Sequence, residues 1–175
     1  MKSVGWRIGL PEWLIVIGSC VFIFVLWLSA YFEADIRRLH FFQAWMYVAA
    51  MWLAVRRNRW GYFVGLSAAG LWDYTSLFVN TFFRNGLHWL WMWMSTGDLR
   101  RVDLILAVPA WIGNLLVIVG SAWGYMRLRE RVWGDLGRFA AAFALTTGFF
   151  AAAIALCQPR YLPLFRGMLH PRCPW

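Results

Sequence analysis

The chain has 175 residues, 62% of them hydrophobic and only 14% charged, with a mean hydropathy of +0.55, which excludes an ordinary soluble domain. The net charge of +9 comes from arginines scattered over short connections, where they meet lipid headgroups and set topology, so no nucleic-acid partner is expected. The only lysine, Lys2, lies outside every apolar run, which excludes a Schiff-base cofactor held within the bilayer.

Five apolar runs predict an all-α polytopic bundle in one domain, residues 1–175, with spans over 13–31, 39–55, 61–83, 104–126 and 136–157. Each reaches or approaches the roughly 17–25 residues needed to cross the hydrocarbon core. The first, Trp13–Tyr31, follows Lys2 and Arg7. It is too long for a signal-peptide core and has no small-x-small cleavage site after it, so it reads as an uncleaved span. Cys20 within it reads as a small buried thiol. Trp6, Trp13, Trp60 and Trp133 sit at or just before span starts, where an indole straddles headgroup and acyl chain.

The second run, Leu39–Val55, carries Tyr47 near its centre, with Gln43 and His40 on the same helical face. A short basic turn, Arg56–Trp60, leads into the third. There Asp73 falls near the middle, where a carboxylate is costly and no Arg or Lys lies at matching depth to pair with it. Gly61, Gly65, Ala69 and Asp73 follow at four-residue spacing, with Ser76 and Asn80 extending the stripe. Small residues of this kind draw a neighbouring helix close.

Between the third and fourth runs lies a tryptophan-rich stretch around Trp89, Trp91 and Trp93. Residues 86–96 are too few to cross, so an interfacial or shallow re-entrant segment is expected. The fourth run holds Asn114 centrally, a predicted bend at Pro109 and a GxxxG at Gly120 and Gly124. The fifth holds Thr146 and Thr147 centrally and a small-residue ladder of Ala140, Ala144, Gly148 and Ala152. Four prolines, Pro159, Pro163, Pro171 and Pro174, predict an irregular tail over 158–175.

Basic residues divide almost evenly between the two sides. The densely basic Arg56–Trp60 and Arg127–Asp135 connections favour an inner-membrane protein with a cytoplasmic N-terminus and an external C-terminus.

Polar residues coincide in depth on four spans: Tyr47, Asp73, Asn114 and Thr147. With Ser76 and Asn80 beside them, they form a candidate intramembrane site for a proton, cation or small polar solute, the basis of a transport or ligand-binding reading. The alternative is a structural or regulatory subunit in which the same layer only specifies helix packing. A third reading is an enzyme acting on a lipid-linked substrate at the face carrying Glu33, Asp35, His40, His88, Asp98 and His170. No catalytic residue, metal site or cofactor is indicated: there is no CxxC, no histidine pair for haem, and no serine–histidine pair at one depth. Besides the lipid bilayer, a second copy of the chain is an expected partner, through the Gly120/Gly124 or the Ala144/Gly148 face.

Overall fold

A computed structural model describes residues 8–128, 130, 132–163 and 167. Lys2, Trp6, Arg7, Arg129, Arg131, His170, Cys173 and most of the predicted tail lie outside the described residues. The described chain is helical throughout: α1 (Leu10–Phe32), α2 (Arg37–Val55), α3 (Arg59–Tyr74), α4 (Phe82–Thr96), α5 (Val102–Ile105), α6 (Ala107–Met126) and α7 (Gly134–Cys157). A 3-10 turn, Ala34–Ile36, joins α1 to α2, and another, Pro159–Tyr161, follows α7.

Among the described residues three helical stretches are long and apolar enough to cross a membrane: α1, the α5–α6 stretch Val102–Met126, and α7. The chain is therefore an integral membrane protein by length and composition. The expected count of five is not reached, because α2 opens on Arg37, Arg38 and His40, and α3 is only 16 residues long.

Close approach through glycine determines how the helices pack. Helices α1 and α6 run antiparallel, with Gly18 against Gly113 and Pro11 against Gly120. A Cβ on Gly18 would stand 2.4 Å from the Gly113 carbonyl oxygen, and one on Gly120 would stand 2.7 Å from the Pro11 carbonyl oxygen. No side chain fits there, so these glycines let the two backbones touch. Gly124 lies against the Tyr62 ring. Both glycines of the GxxxG are thus occupied within the protomer, not on an outer face. The expected Gly61–Gly65 stripe is likewise internal, Gly61 facing α2 and Gly65 facing Ser121 of α6.

Helix α3 is central, packed against α2, α6 and α7. Its entry is a tight turn in which Asn58 N–H bonds the Leu53 carbonyl and Arg57 N–H bonds the Ala54 carbonyl. Arg57 adopts φ 54° there, a left-handed conformation more often given to glycine. Helix α7 turns Ala142, Thr146, Phe150 and Ala153 inward and leaves Ala140, Ala144, Gly148 and Ala152 exposed.

Two breaks correct the predicted spans. The third run does not continue to Phe83. Thr75–Val79 is a π-helical turn, Asn80 is extended, and α4 begins at Phe82. The Thr75 hydroxyl donates to the Leu71 carbonyl at 2.7 Å, and Asn80 Oδ1 accepts from Phe82 N–H at 2.9 Å, so local polar side chains end one helix and cap the next. The tryptophan-rich segment is therefore a longer helix than expected, ending at Gly97 with φ 75°. In the fourth run the interruption lies at Leu106, between α5 and α6. Pro109 then falls in the first turn of α6, where its missing N–H has no intrahelical partner to lose.

Cys20 is exposed on α1, its sulfur 3.9 Å from Met51 Sδ, contrary to the expected burial. Its helix buries the opposite stripe, through Ile15, Gly18, Ser19 and Phe22.

Candidate functional site

Three of the predicted polar residues meet. Tyr47 of α2 donates its hydroxyl to Asn114 Oδ1 at 2.7 Å, and Asn114 Nδ2 donates to Asp73 Oδ1 at 3.1 Å. All three are buried, with Asn114 at 0% exposure and Tyr47 at 1%. The chain of bonds ties α2, α3 and α6 together at one depth. The other predicted members stand apart. Ser76 donates to the Asp73 backbone carbonyl at 3.1 Å, not to its carboxylate, and Asn80 is occupied in capping α4. Thr147 is half-buried with no partner for its hydroxyl among the described residues, whereas its neighbour Thr146 is the one that faces the core. One residue of offset on a helix, about 100°, is enough to exchange their roles.

Above this layer is a cavity of about 440 Å³. Its deep end is apolar: Phe22, Leu71, Ala110 and Phe150 line it. Phe22 stacks on Tyr47 with centroids 4.3 Å apart and meets Trp72 edge-on, so it separates the cavity from the Tyr47–Asn114–Asp73 chain. Asp73 does not line the cavity. The other end is polar, with Glu33, His40, Asn80, Asn85 and Asp103, and it opens where Thr81 and Asn85 are exposed. The volume lies within the roughly 300–1,000 Å³ of small-molecule sites.

The space lies beside the two irregular points of the helices. The π turn and the extended Asn80 end α3 before the chain enters α4, whereas Leu106 keeps right-handed helical angles, φ −60° and ψ −18°, and only the hydrogen-bond ladder is interrupted there. Leu71, Trp72, Thr75 and Asn80 from the first break and Leu106 and Ala110 from the second all line the cavity. Helix α2 contributes its inward stripe: His40 and Gln43 line the cavity, and Tyr47, one turn further, joins the hydrogen-bonded layer. His40 Nδ1 lies 2.9 Å from the Leu26 carbonyl oxygen. A carbonyl only accepts, so Nδ1 carries the proton, and in the neutral ring Nε2 offers a lone pair. Gln43 Oε1 is buried without a hydrogen-bond partner among the described residues. Such an acceptor costs about 1–3 kcal/mol unless something donates to it.

The remaining residues of the histidine-bearing face do not assemble. Asp35 pairs with Arg160, and His88 packs edge-on against Trp89. Asp98 accepts from the Arg100 side chain at 2.6–3.0 Å and from its backbone N–H at 3.0 Å. That guanidinium holds the Asp98 carboxyl below the usual carboxylate range. Among the described residues no group of three His, Cys, Asp or Glu side chains is placed to hold a metal.

Two buried acidic clusters are not evident from sequence. Glu12, 5% exposed in the first turn of α1, accepts from the Tyr62 hydroxyl at 2.7 Å. Asp135, 3% exposed, accepts from Arg138 at 2.7 Å, Arg59 at 3.1 Å and Tyr125 at 3.2 Å, binding the α6–α7 connection to α3. Arg138 is a local i,i+3 partner, but Tyr62 lies 50 residues from Glu12 and Arg59 lies 76 from Asp135, and no local spacing announces those two contacts. Comparison with protein-family models, curated proteins and solved structures finds no match to this chain.

Proposed function

We propose that this is a small multi-pass membrane protein that binds an amphipathic solute in the cavity beside Glu33 and His40, in a transport or ligand-binding role. The observation that carries this reading is the cavity itself: about 440 Å³, apolar at its deep end and polar where it opens. A ligand buried there would place its apolar body against Phe22, Leu71 and Phe150 and its polar group near Glu33, His40 and Gln43. The proposed site is thus one layer away from Asp73. Its floor, Tyr47–Asn114–Asp73, holds α2, α3 and α6 in register beneath the ligand.

In the same proposal α2 and the α3–π segment join the three long helices as membrane spans, giving five, with α4 lying in the interface. Their lengths suit a crossing, and Tyr47, Ser67 and Asp73 within them face the bundle interior, so hydropathy understates them. Helical spans of this kind belong to an inner membrane, since bacterial outer-membrane spans are β-barrels. Arg56, Arg57 and Arg59 at the α2–α3 turn support a cytoplasmic location for that end, and with it a cytoplasmic N-terminus.

A structural-subunit reading is favoured by one observation, the absence of Asp73 from the cavity lining. Native mass spectrometry from nanodiscs, with thermal stabilisation across a panel of small amphipathic solutes, separates the two. The ligand reading expects a retained mass or a stabilising solute for the wild type and neither for Ser29→Trp, which fills the cavity from α1. No retained mass and no stabilising solute for the wild type, or an unchanged response in Ser29→Trp, would leave the structural role.

A further inference from the structure

We infer that the cavity selects a cationic ligand, a protonated amine or comparable organic cation on a small apolar body. The inference rests on the ligand-binding reading above and narrows it to a substrate class. Its starting point is the charge of the lining. Two carboxylates, Glu33 and Asp103, line the cavity, and no Arg or Lys does. Asp103 is already engaged, with Arg101 Nε 3.1 Å from Oδ1 and Nη2 2.9 Å from Oδ2. Glu33 has no side-chain hydrogen bond or ion pair among the described residues, although Arg101 is near enough to interact with it through space. The other nearby cations are directed elsewhere: Arg160 to Asp35 and Arg37 to the Ala30 carbonyl.

The side chains that line the cavity thus carry two carboxylates and no guanidinium; Arg101 offsets Asp103, and Arg37, bonded to a neutral carbonyl, keeps its charge but lies outside the lining, whose walls are mostly apolar. Low-dielectric walls concentrate that field, so an anion is repelled and a cation attracted more strongly than at an open surface. The uncharged groups agree. Gln43 Oε1 is buried and lacks a donor, and the Thr75 hydroxyl, having given its proton to the Leu71 carbonyl, can only accept. An ammonium supplies donors and no acceptor, the complement of these groups. The rings of Phe22, Trp72, Phe82 and Phe150 in the lining add faces on which a cation is held well away from water.

The amine could belong to a free solute or to the headgroup of an aminophospholipid; the chemistry recognised is the same. Three probes of one shape test the charge: 2-phenylethylamine, 2-phenylethanol and phenylacetate. Each is titrated calorimetrically into the full-length protein in phosphatidylcholine nanodiscs, with empty nanodiscs subtracted for partitioning. The amine should bind at least tenfold more tightly than the alcohol, and phenylacetate most weakly. Glu33→Gln should reduce the amine's advantage over the alcohol to less than threefold while leaving the alcohol's affinity unchanged. Gln43→Leu should weaken the amine and leave thermal stability equal or higher, since it removes an unpaired buried acceptor. Repeating the amine titration in nanodiscs containing phosphatidylethanolamine identifies the source. Competition supports the cation class with a lipid headgroup as its carrier, and no competition supports it with a free amine. Equal binding of alcohol and amine, or tighter binding of phenylacetate, overturns the charge inference while leaving a ligand site in place. If none of the three binds and Ser29→Trp changes nothing, the ligand-binding reading itself fails.

Discussion

At the end of the bundle that holds Glu12 and Tyr62, α1 and α6 meet backbone to backbone through Gly18, Gly113 and Gly120, and Gly124 receives the Tyr62 ring. At the end that holds Glu33 and Asp103, the same helices carry Val25, Leu26, Leu106 and Ala110, and a cavity of about 440 Å³ lies among them. Both ends are built from the same two helices. The difference lies in side-chain size and in continuity: glycine at seven- and four-residue intervals along α6 closes one end, while larger side chains and the π turn at Thr75–Val79 mark the other. Between them the Tyr47–Asn114–Asp73 chain marks the level at which close packing gives way to space.

The strongest way to break this contrast is to put a side chain where the backbones touch. Gly18→Val places atoms where even a Cβ would stand 2.4 Å from the Gly113 carbonyl oxygen. Overpacking of this kind costs about 1–3 kcal/mol and occasionally more, and a clash with backbone belongs at the upper end. Thermal unfolding in detergent should show a large loss for Gly18→Val and almost none for Gly148→Val, because a Cβ at Gly148 meets nothing within 4 Å. Equal losses at the two glycines would mean that α7 packs against a further surface.

A smaller effect is expected at the boundary layer. Asn114→Leu leaves the Tyr47 hydroxyl and one Asp73 oxygen without their partner, and should destabilise by about 1–3 kcal/mol, the desolvation cost of unmatched buried groups. Asp73→Asn keeps an oxygen to accept the Asn114 bond and should cost less, near the roughly 0.6 kcal/mol average for a hydrogen bond between membrane helices. Neither should change ligand affinity by more than a few-fold if the layer is only a floor. Loss of binding in a folded Asp73→Asn protein would move the site down to Asp73 and restore it as the ligand-binding carboxylate.

The smallest effect is at the surface. Because Arg100 lowers the folded-state pKa of Asp98, the stabilisation of the Gly97–Arg101 connection is present above the ordinary carboxylate range, near pH 4, and is lost as pH falls through the folded value. Amide exchange at Arg100 N–H, corrected for intrinsic rates, should therefore stay slow from neutral pH down to about pH 4 and quicken only below it. Asp98→Asn should show the faster exchange already at neutral pH. Global stability should not change measurably in either case, since the pair is exposed to solvent.

Much of this protein was legible in its residues. Hydropathy is summed locally, residue by residue, so the helical membrane class follows from composition and run length alone. Depth is also nearly local. Tyr47, Asp73 and Asn114 were recognisable as neighbours because each lies well inside its own run, and His40, Gln43 and Tyr47 because they share one helical face. Span count was less secure, since the run from Gly61 to Phe83 conceals a break that apolar content does not register. Only the tertiary structure decided that Gly120 and Gly124 are internal, that Glu12 and Asp135 are buried on distant partners, that Thr146 and not Thr147 faces the core, and that the space lies beside Glu33 and not at Asp73. Those are properties of gaps and contacts between helices, determined by how surfaces from far-apart parts of the chain fit together, whereas a sequence read along its length reports only what each segment prefers by itself.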